Sequence, residues 1–132
     1  MRAMILSLLV AGFCSPAALA QDADCLARDA PVRGELKLLK TRHPAGYPIE
    51  ALMFVFKPPI CVMVMPELSA GSKPERLEVS AMHVVPSKKD AARLKRALRK
   101  TVTVKGNIVE SHTAWHQGDA IMFEAEIVTG AR

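Results

Sequence analysis

Two stretches near the C-terminal end constrain the fold of this chain more than any other feature. "TVTVKGNIV" (101–109) and "AIMFEAEIV" (120–128) alternate apolar with polar residues. A period of two marks a strand, because successive side chains leave a pleated backbone on opposite faces. In the first stretch Val102, Val104, Gly106 and Ile108 face in, and Thr101, Thr103, Lys105 and Asn107 face out. In the second, Ile121, Phe123, Ala125 and Ile127 are expected inside, with Glu124 and Glu126 in water. Setting Val104 opposite Ala125 matches inward residues with inward residues throughout, and a one-residue slip undoes that match. The same register sets Gly106 against the Phe123 ring, Lys105 against Glu124 and Glu110 against Asp119, leaving 111–118 as the tip.

Three more extended segments precede this pair. "GELKLLKT" starts at Gly34, and Leu39 breaks its alternation, which suggests a bulge or twist. "EALMFVFK" (50–57) is almost wholly apolar, as in a central strand buried on both sides. Pro58 and Pro59 lack ladder donors, so pairing must break or move to an edge before "ICVMVM" (60–65) resumes the pattern. "ERLEVSAMHVV" (75–85) alternates Leu77, Val79 and Ala81 against Glu78 and Ser80, which points His83 to the apolar side. Between these segments lie "RHPAGYP" and "PELSAGSKP", both loops by composition.

Only one segment has a helical period. Ser87 follows Pro86 as an N-cap, with Asp90 three residues on as in a capping box. Ala91, Leu94 and Leu98 form a narrow stripe. A helix of about 13 residues is expected over 88–100, lying on a sheet edge or plugging an opening. Its other sides are Lys88, Lys89, Arg93, Lys95, Arg96, Arg99 and Lys100. The window 88–105 holds eight basic residues and one acid, so the net charge of +5 is a local feature.

The order strand, strand, strand, helix, strand, strand is that of the OB-fold: all-β with one helix, a five-stranded, partly open barrel with its helix between strands 3 and 4. An open antiparallel sheet or sandwich is the alternative, and an immunoglobulin-like sandwich needs more strands.

The N-terminus reads as a leader. Met-Arg, the apolar run at 4–13 and the Ala18-x-Ala20 pattern describe a signal peptide of residues 1–20, cut after Ala20, ahead of one domain at 21–132. The run is shorter than the roughly 20 apolar residues a membrane helix needs, and no later segment spans a bilayer. Phe13 sits where a lipobox would need a small residue before Cys14. The expected location is periplasmic or secreted. Removal of Cys14 leaves Cys25 and Cys61, an even pair in an exported chain, which is most simply a disulfide. Chain entropy assigns such a link about 4 kcal/mol. A metal-bound or redox pair finds no Cys-x-x-Cys to support it.

Three stretches resemble a family of small exported bacterial domains of uncharacterised function. Cys25 precedes a first strand opening "GEL", similar to that family's Gly-x-Leu. "FKPPICV" is similar to its Lys-Pro-Ile-Cys-Val segment, with one extra proline. "VTVKGNIVESHTAWH" resembles its Val-Thr-Val-x-Gly…His-Thr-x-x-His segment at Val102, Thr103, Val104, Gly106, His112, Thr113 and His116, while Trp115 and Gln117 stand where relatives are richer in Gly and His. The resemblance covers about residues 25–128. It implies an OB-like barrel and export, and it supplies no activity.

"SHTAWHQGD" (111–119) carries two histidines four apart and the single Trp. In an OB-fold this loop borders the usual binding face. One reading has His112, Thr113, Trp115 and His116, together with His43 and Tyr47 of the 42–49 loop, gripping a small molecule, peptide or glycan. A second has the loop bonding its own backbone, with Trp115 packed across the barrel mouth. A third has the histidines holding metal, although zinc wants four ligands; no metal or cofactor is assigned. Nucleic acid is disfavoured by export, by few aromatics, and by a basic helix away from the binding face. An anionic envelope component, polymer or membrane surface, held by the helix at 88–100, is the alternative partner. No Gly-x-Ser-x-Gly, His-Glu-x-x-His or phosphate loop points to catalysis, so a non-catalytic binding module is expected.

Overall fold

The computed structural model of the chain describes residues 25–65 and 73–128. The leader at 1–20, its cut after Ala20, the first residues of the 21–132 domain and most of the loop at 66–74 lie outside the described residues. Five strands and one short helix follow in order: β1 (Val32–Arg42), β2 (Pro48–Val64), β3 (Glu75–Pro86), α1 (Ala91–Arg96), β4 (Thr101–Glu110) and β5 (Ala120–Ile127). The strands close into a barrel in the order β1-β2-β3-β5-β4. β3 and β5 run parallel; every other neighbouring pair is antiparallel. With the helix between strands 3 and 4, this is the expected OB-like barrel.

The barrel interior is filled by one apolar cluster. Leu36, Phe54, Val62, Val79, Met82, Val84, Val104, Ile108 and Met122 are buried there. β1 holds β4 only over Val32–Glu35, so the wall is open beyond that point. The helical segment fills the gap. Leu94 of α1 is fully buried in the core, with Ala97 and Leu98 beside it. Leu36 and the end of the segment exchange backbone bonds, Arg99 N–H to Leu36 O at 2.8 Å and Leu36 N–H to Lys100 O at 3.1 Å.

The helix is shorter than its period suggested: six residues, flanked by turns. Half of the capping box forms, as the Ser87 hydroxyl accepts the Asp90 N–H at 3.3 Å. The Asp90 carboxylate does not return to Ser87. It accepts the Ile127 N–H at 2.8 Å and pairs with Arg93 at 2.8 Å. Those bonds hold the buried carboxyl below its ordinary range against the opposing effect of burial, with the Ile127 N–H the larger influence. A segment bonded to β1 and β5 has less need of helical length.

β1 begins at Val32, two residues ahead of Gly34, and Leu38 and Leu39 are both exposed where the alternation breaks. β2 runs unbroken through its prolines, but its pairing with β3 shifts register between Val55 and Ile60, so the ladder breaks where Pro58 and Pro59 require. Ala51, Leu52, Met53 and Phe54 are all buried, as expected of a strand covered on both faces.

β4 and β5 are neighbours, but their register differs from the one expected. Val104 sits opposite Ile127 and Lys105 opposite Glu126; past an irregularity at Gly106, Asn107 faces Phe123, Ile108 faces Met122 and Glu110 faces Ala120. Ala120 and Met122 therefore enter the core, and Ile121 and Phe123 lie on the outer wall. Glu124 adopts a φ of 51°, the backbone of a bulge, which returns Ala125 and Ile127 to the inside. Gly106 makes room for the Met122 side chain and the Phe123 carbonyl, each 2.6 Å from where a Cβ would stand, and not for the Phe123 ring. β3 has a similar break: alternation resets after Val79, so Met82 and Val84 point in and His83 points out, contrary to expectation.

Cys25 and Cys61 form the expected disulfide across a sequence separation of 36. It anchors an arm that crosses to the far wall. Leu26 bridges Val62 in parallel, with Leu26 N–H to Cys61 O and Met63 N–H to Leu26 O, and the Arg28 carbonyl accepts the Ile108 N–H at 3.1 Å.

Candidate functional site

The apolar residues of β2 that face away from the barrel are also buried. Ile49, Ala51 and Met53, with Ala81 of β3 against them, make a second cluster on the outer wall. It lies between the β1–β2 turn at 43–47 and the β4–β5 loop at 111–119, and those two segments meet over it. The loop thus lies against the outer side of β3 and β5, touching Ala81, His83 and Phe123, because the register slip carries Ile121 and Phe123 outward and gives the loop an apolar wall to fold against.

Asp119 fixes one end of the loop. Its carboxylate accepts the Ser80 and Ala81 N–H groups at 2.7 and 3.1 Å, and its own N–H reaches the Ala81 carbonyl at 2.9 Å. Gly118 has φ 77°, and a Cβ there would stand 2.5 Å from the Ala81 carbonyl oxygen. Only glycine combines that backbone with that approach. Thr113 shapes the tip: its hydroxyl accepts the Trp115 N–H and its carbonyl the His116 N–H. Gln117 donates its side-chain amide to the Ala114 carbonyl. Local bonding of this kind is the self-contained reading of the loop, and for Thr113 it is present.

All four histidines of the chain are at this site. His43 lies flat against Trp115, centroids 4.2 Å apart and planes at 26°, and Tyr47 is 6.3 Å from the same indole at 27°. His112 and His116 meet edge to face at 4.6 Å, and His116 abuts Phe123 at 5.6 Å. His83 reaches the loop from β3, its Nδ1 accepting the Gln117 N–H at 3.3 Å. Burial lowers the His83 and His116 pKa values below 6.5, with His116 adding to the effect on His83 and His112 to that on His116. Sequence reasoning brought His43, Tyr47, His112, Thr113, Trp115 and His116 together and missed His83, whose outward direction depends on the break after Val79. Trp115 and Tyr47 remain 51% and 61% exposed, so the loop presents aromatic surface to water. Among the described residues, no group of three or more His, Cys, Asp or Glu side chains is placed to hold a metal ion.

The basic residues sit at the other end of β5. Arg93, Arg96 and Lys100 line one shallow cleft of about 230 Å³ floored by Ala97 and Ile127. Lys88, Lys89 and Lys95 are exposed outside it, and Arg99 lines a separate cleft beside Leu38. Arg93 is already matched by Asp90. The basic segment is therefore divided over several surfaces.

Fold and site together define an OB-like barrel whose 1–2 and 4–5 loops join over the β2–β3 wall. The sequence model of a domain of unknown function (DUF4431) matches residues 81–124, from the outward turn of β3 to the bulge of β5, including His83 and the whole 111–119 loop. This agrees with the resemblance to an uncharacterised domain family. No curated protein and no solved structure matches the chain. Among the described residues no helix is long and apolar enough to cross a membrane. That observation and the disulfide are compatible with an extracellular or periplasmic setting.

Proposed function

We propose that this is an exported, non-catalytic binding module, released by cleavage after Ala20, which holds an uncharged ligand with a flat apolar face on the joined 43–47 and 111–117 loops. A saccharide ring is the ligand class that fits best. The observation that carries this reading is the exposed Trp115–Tyr47 pair backed by His43. Aromatic faces carry partial negative charge and attract the C–H face of a sugar, while Thr113, His112 and His116 surround them with polar groups. The site lies where OB-folds take oligosaccharides and other polymers. The chain's abundant charge is elsewhere, which favours a neutral ligand.

Titrating a panel of neutral oligosaccharides by calorimetry tests this. Trp115→Ala together with Tyr47→Ala, both exposed, is expected to abolish binding and to move the melting temperature by no more than about 2 °C, as for a surface change well under 1 kcal/mol. A large loss of stability would instead make the loop a structural element. The cleft of Arg93, Arg96 and Lys100 favours a second reading, adhesion to an anionic envelope polymer or membrane. Binding that disappears between low and moderate salt and depends on Arg93, Arg96 and Arg99 would select it.

A further inference from the structure

The histidines at this site share an unusual bonding pattern. Three of the four use Nδ1 as an acceptor for a backbone N–H: His43 from Ala45 at 3.1 Å, His83 from Gln117 at 3.3 Å and His116 from His112 at 3.4 Å. An imidazole nitrogen that accepts an N–H carries no proton of its own. Protonation makes both ring nitrogens donors, which turns each of these bonds into two N–H groups facing one another. His83 and His116 are the two that tie the loop: one binds it to β3, the other closes its tip, and His116 also packs against Phe123.

We propose that the 111–119 loop is an acid-released cover: it closes over the outer wall of β2 and β3 while His83 and His116 are neutral, and lifts when they take protons. The lowered pKa values of both rings agree with this direction. A base whose pKa is depressed in the closed state makes closure favourable above its ordinary value of 6.5. That contribution is lost as pH falls from 6.5 through the lowered values.

The Coulombic influences on the two tying rings come from neighbouring imidazoles, His116 on His83 and His112 on His116. The Asp119 carboxylate accepts two N–H groups of β3. Glu110, at the end of β4, meets His112 through its backbone carbonyl, 3.1 Å from Nδ1. From the 43–47 turn come His43 and Tyr47, with Arg42 donating to the Gly46 carbonyl. β1 contributes Lys37 opposite Met53, and the Lys40–Glu50 pair at 3.3 Å joins β1 to β2. Ser80 and Ala81 of β3 and Ile121 and Phe123 of β5 are uncharged. A proton on His83 therefore meets the like charge of a protonated His116.

The proposal does not rest on any ligand and is tested on the ligand-free protein. Amide exchange at Ala81, Gln117 and Asp119, corrected for its intrinsic pH dependence, is expected to quicken about tenfold or more between pH 7.5 and pH 5. Exchange at Phe54 and Val104, inside the barrel, is expected to hold. Trp115 fluorescence should change over the same range as the indole leaves His43. His83→Gln with His116→Gln keeps an acceptor without a proton to gain, and should keep the loop closed at pH 5. Imidazole titration by NMR in the unaltered chain should give His83 and His116 midpoints below 6.5 that coincide with the loop amides. Unchanged exchange, opening of the double variant at the original midpoint, or imidazole midpoints at or above 6.5 would each overturn the proposal.

Discussion

Phe54 and Met53 are neighbours in β2, yet they end in two different kinds of interior. Phe54 points into the barrel, fully buried among residues from all five strands and α1. Met53 points out and is almost as well buried, but in a small cluster of Ile49, Ala51 and Ala81. The first interior is closed by a ring of ladders in which each strand supports two others. The second is closed by the 43–47 turn and the 111–119 loop, and the loop rests on an aspartate, a glycine and neutral imidazoles. The first can be lost only with the fold. The second can open while the fold stays intact, and regions that open locally are where binding and switching elements are found.

The sharpest test of this difference is truncation inside the barrel. Phe54→Ala should cost about 3–5 kcal/mol, read as a fall in the denaturant midpoint seen equally by far-UV circular dichroism and Trp115 fluorescence. If the two probes separate, the interiors are already independent in the native chain. A smaller effect is expected for Asp119→Ala, which removes a carboxylate shared by the Ser80 and Ala81 N–H groups. About 1–2 kcal/mol should be lost, with faster amide exchange confined to Ser80, Ala81 and the loop; exchange rising inside the barrel as well would make the two interiors one unit. The smallest effect belongs to the helical plug. Arg99 adopts a φ of 64°, so Arg99→Gly should raise stability by roughly 0.5–1 kcal/mol in the same denaturation experiment, leaving the loop's exchange rates unchanged. A loss would mean that the Arg99 side chain contributes more than its backbone strain removes.

How far the sequence discloses these regions depends on what each is made of. The order of elements and most of the inner wall are legible because a half-buried strand must alternate: Val79, Val104 and Ile108 stand in their expected places. The places where reading fails are the bulges. One extra residue reverses the facing of everything beyond it, and neither Ser80 nor Glu124 is a residue type that announces such a break. Gly106 does mark the irregularity in β4, but its neighbour is a carbonyl and not the expected ring. The site residues are legible as a group because loops 1–2 and 4–5 of this topology adjoin. That the 4–5 loop lies down on the wall had one trace in the sequence, the unbroken apolar run at 51–54, which requires a cover on its outer side as well as its inner one.

The arm from Cys25 covers strand margins that would otherwise be bare. β1 pairs with β2 only as far as Phe54, so the later part of β2 would present bare amide and carbonyl groups along one side. Leu26 occupies that margin at Cys61 and Met63, and Arg28 does the same for Ile108 on β4. With the cystine reduced and the arm adrift, two open margins would be offered to any neighbouring copy, the arrangement from which edge-to-edge aggregation starts. Formation of this single bond from its two thiols is thus as much a guard against edge-to-edge pairing as a source of stability.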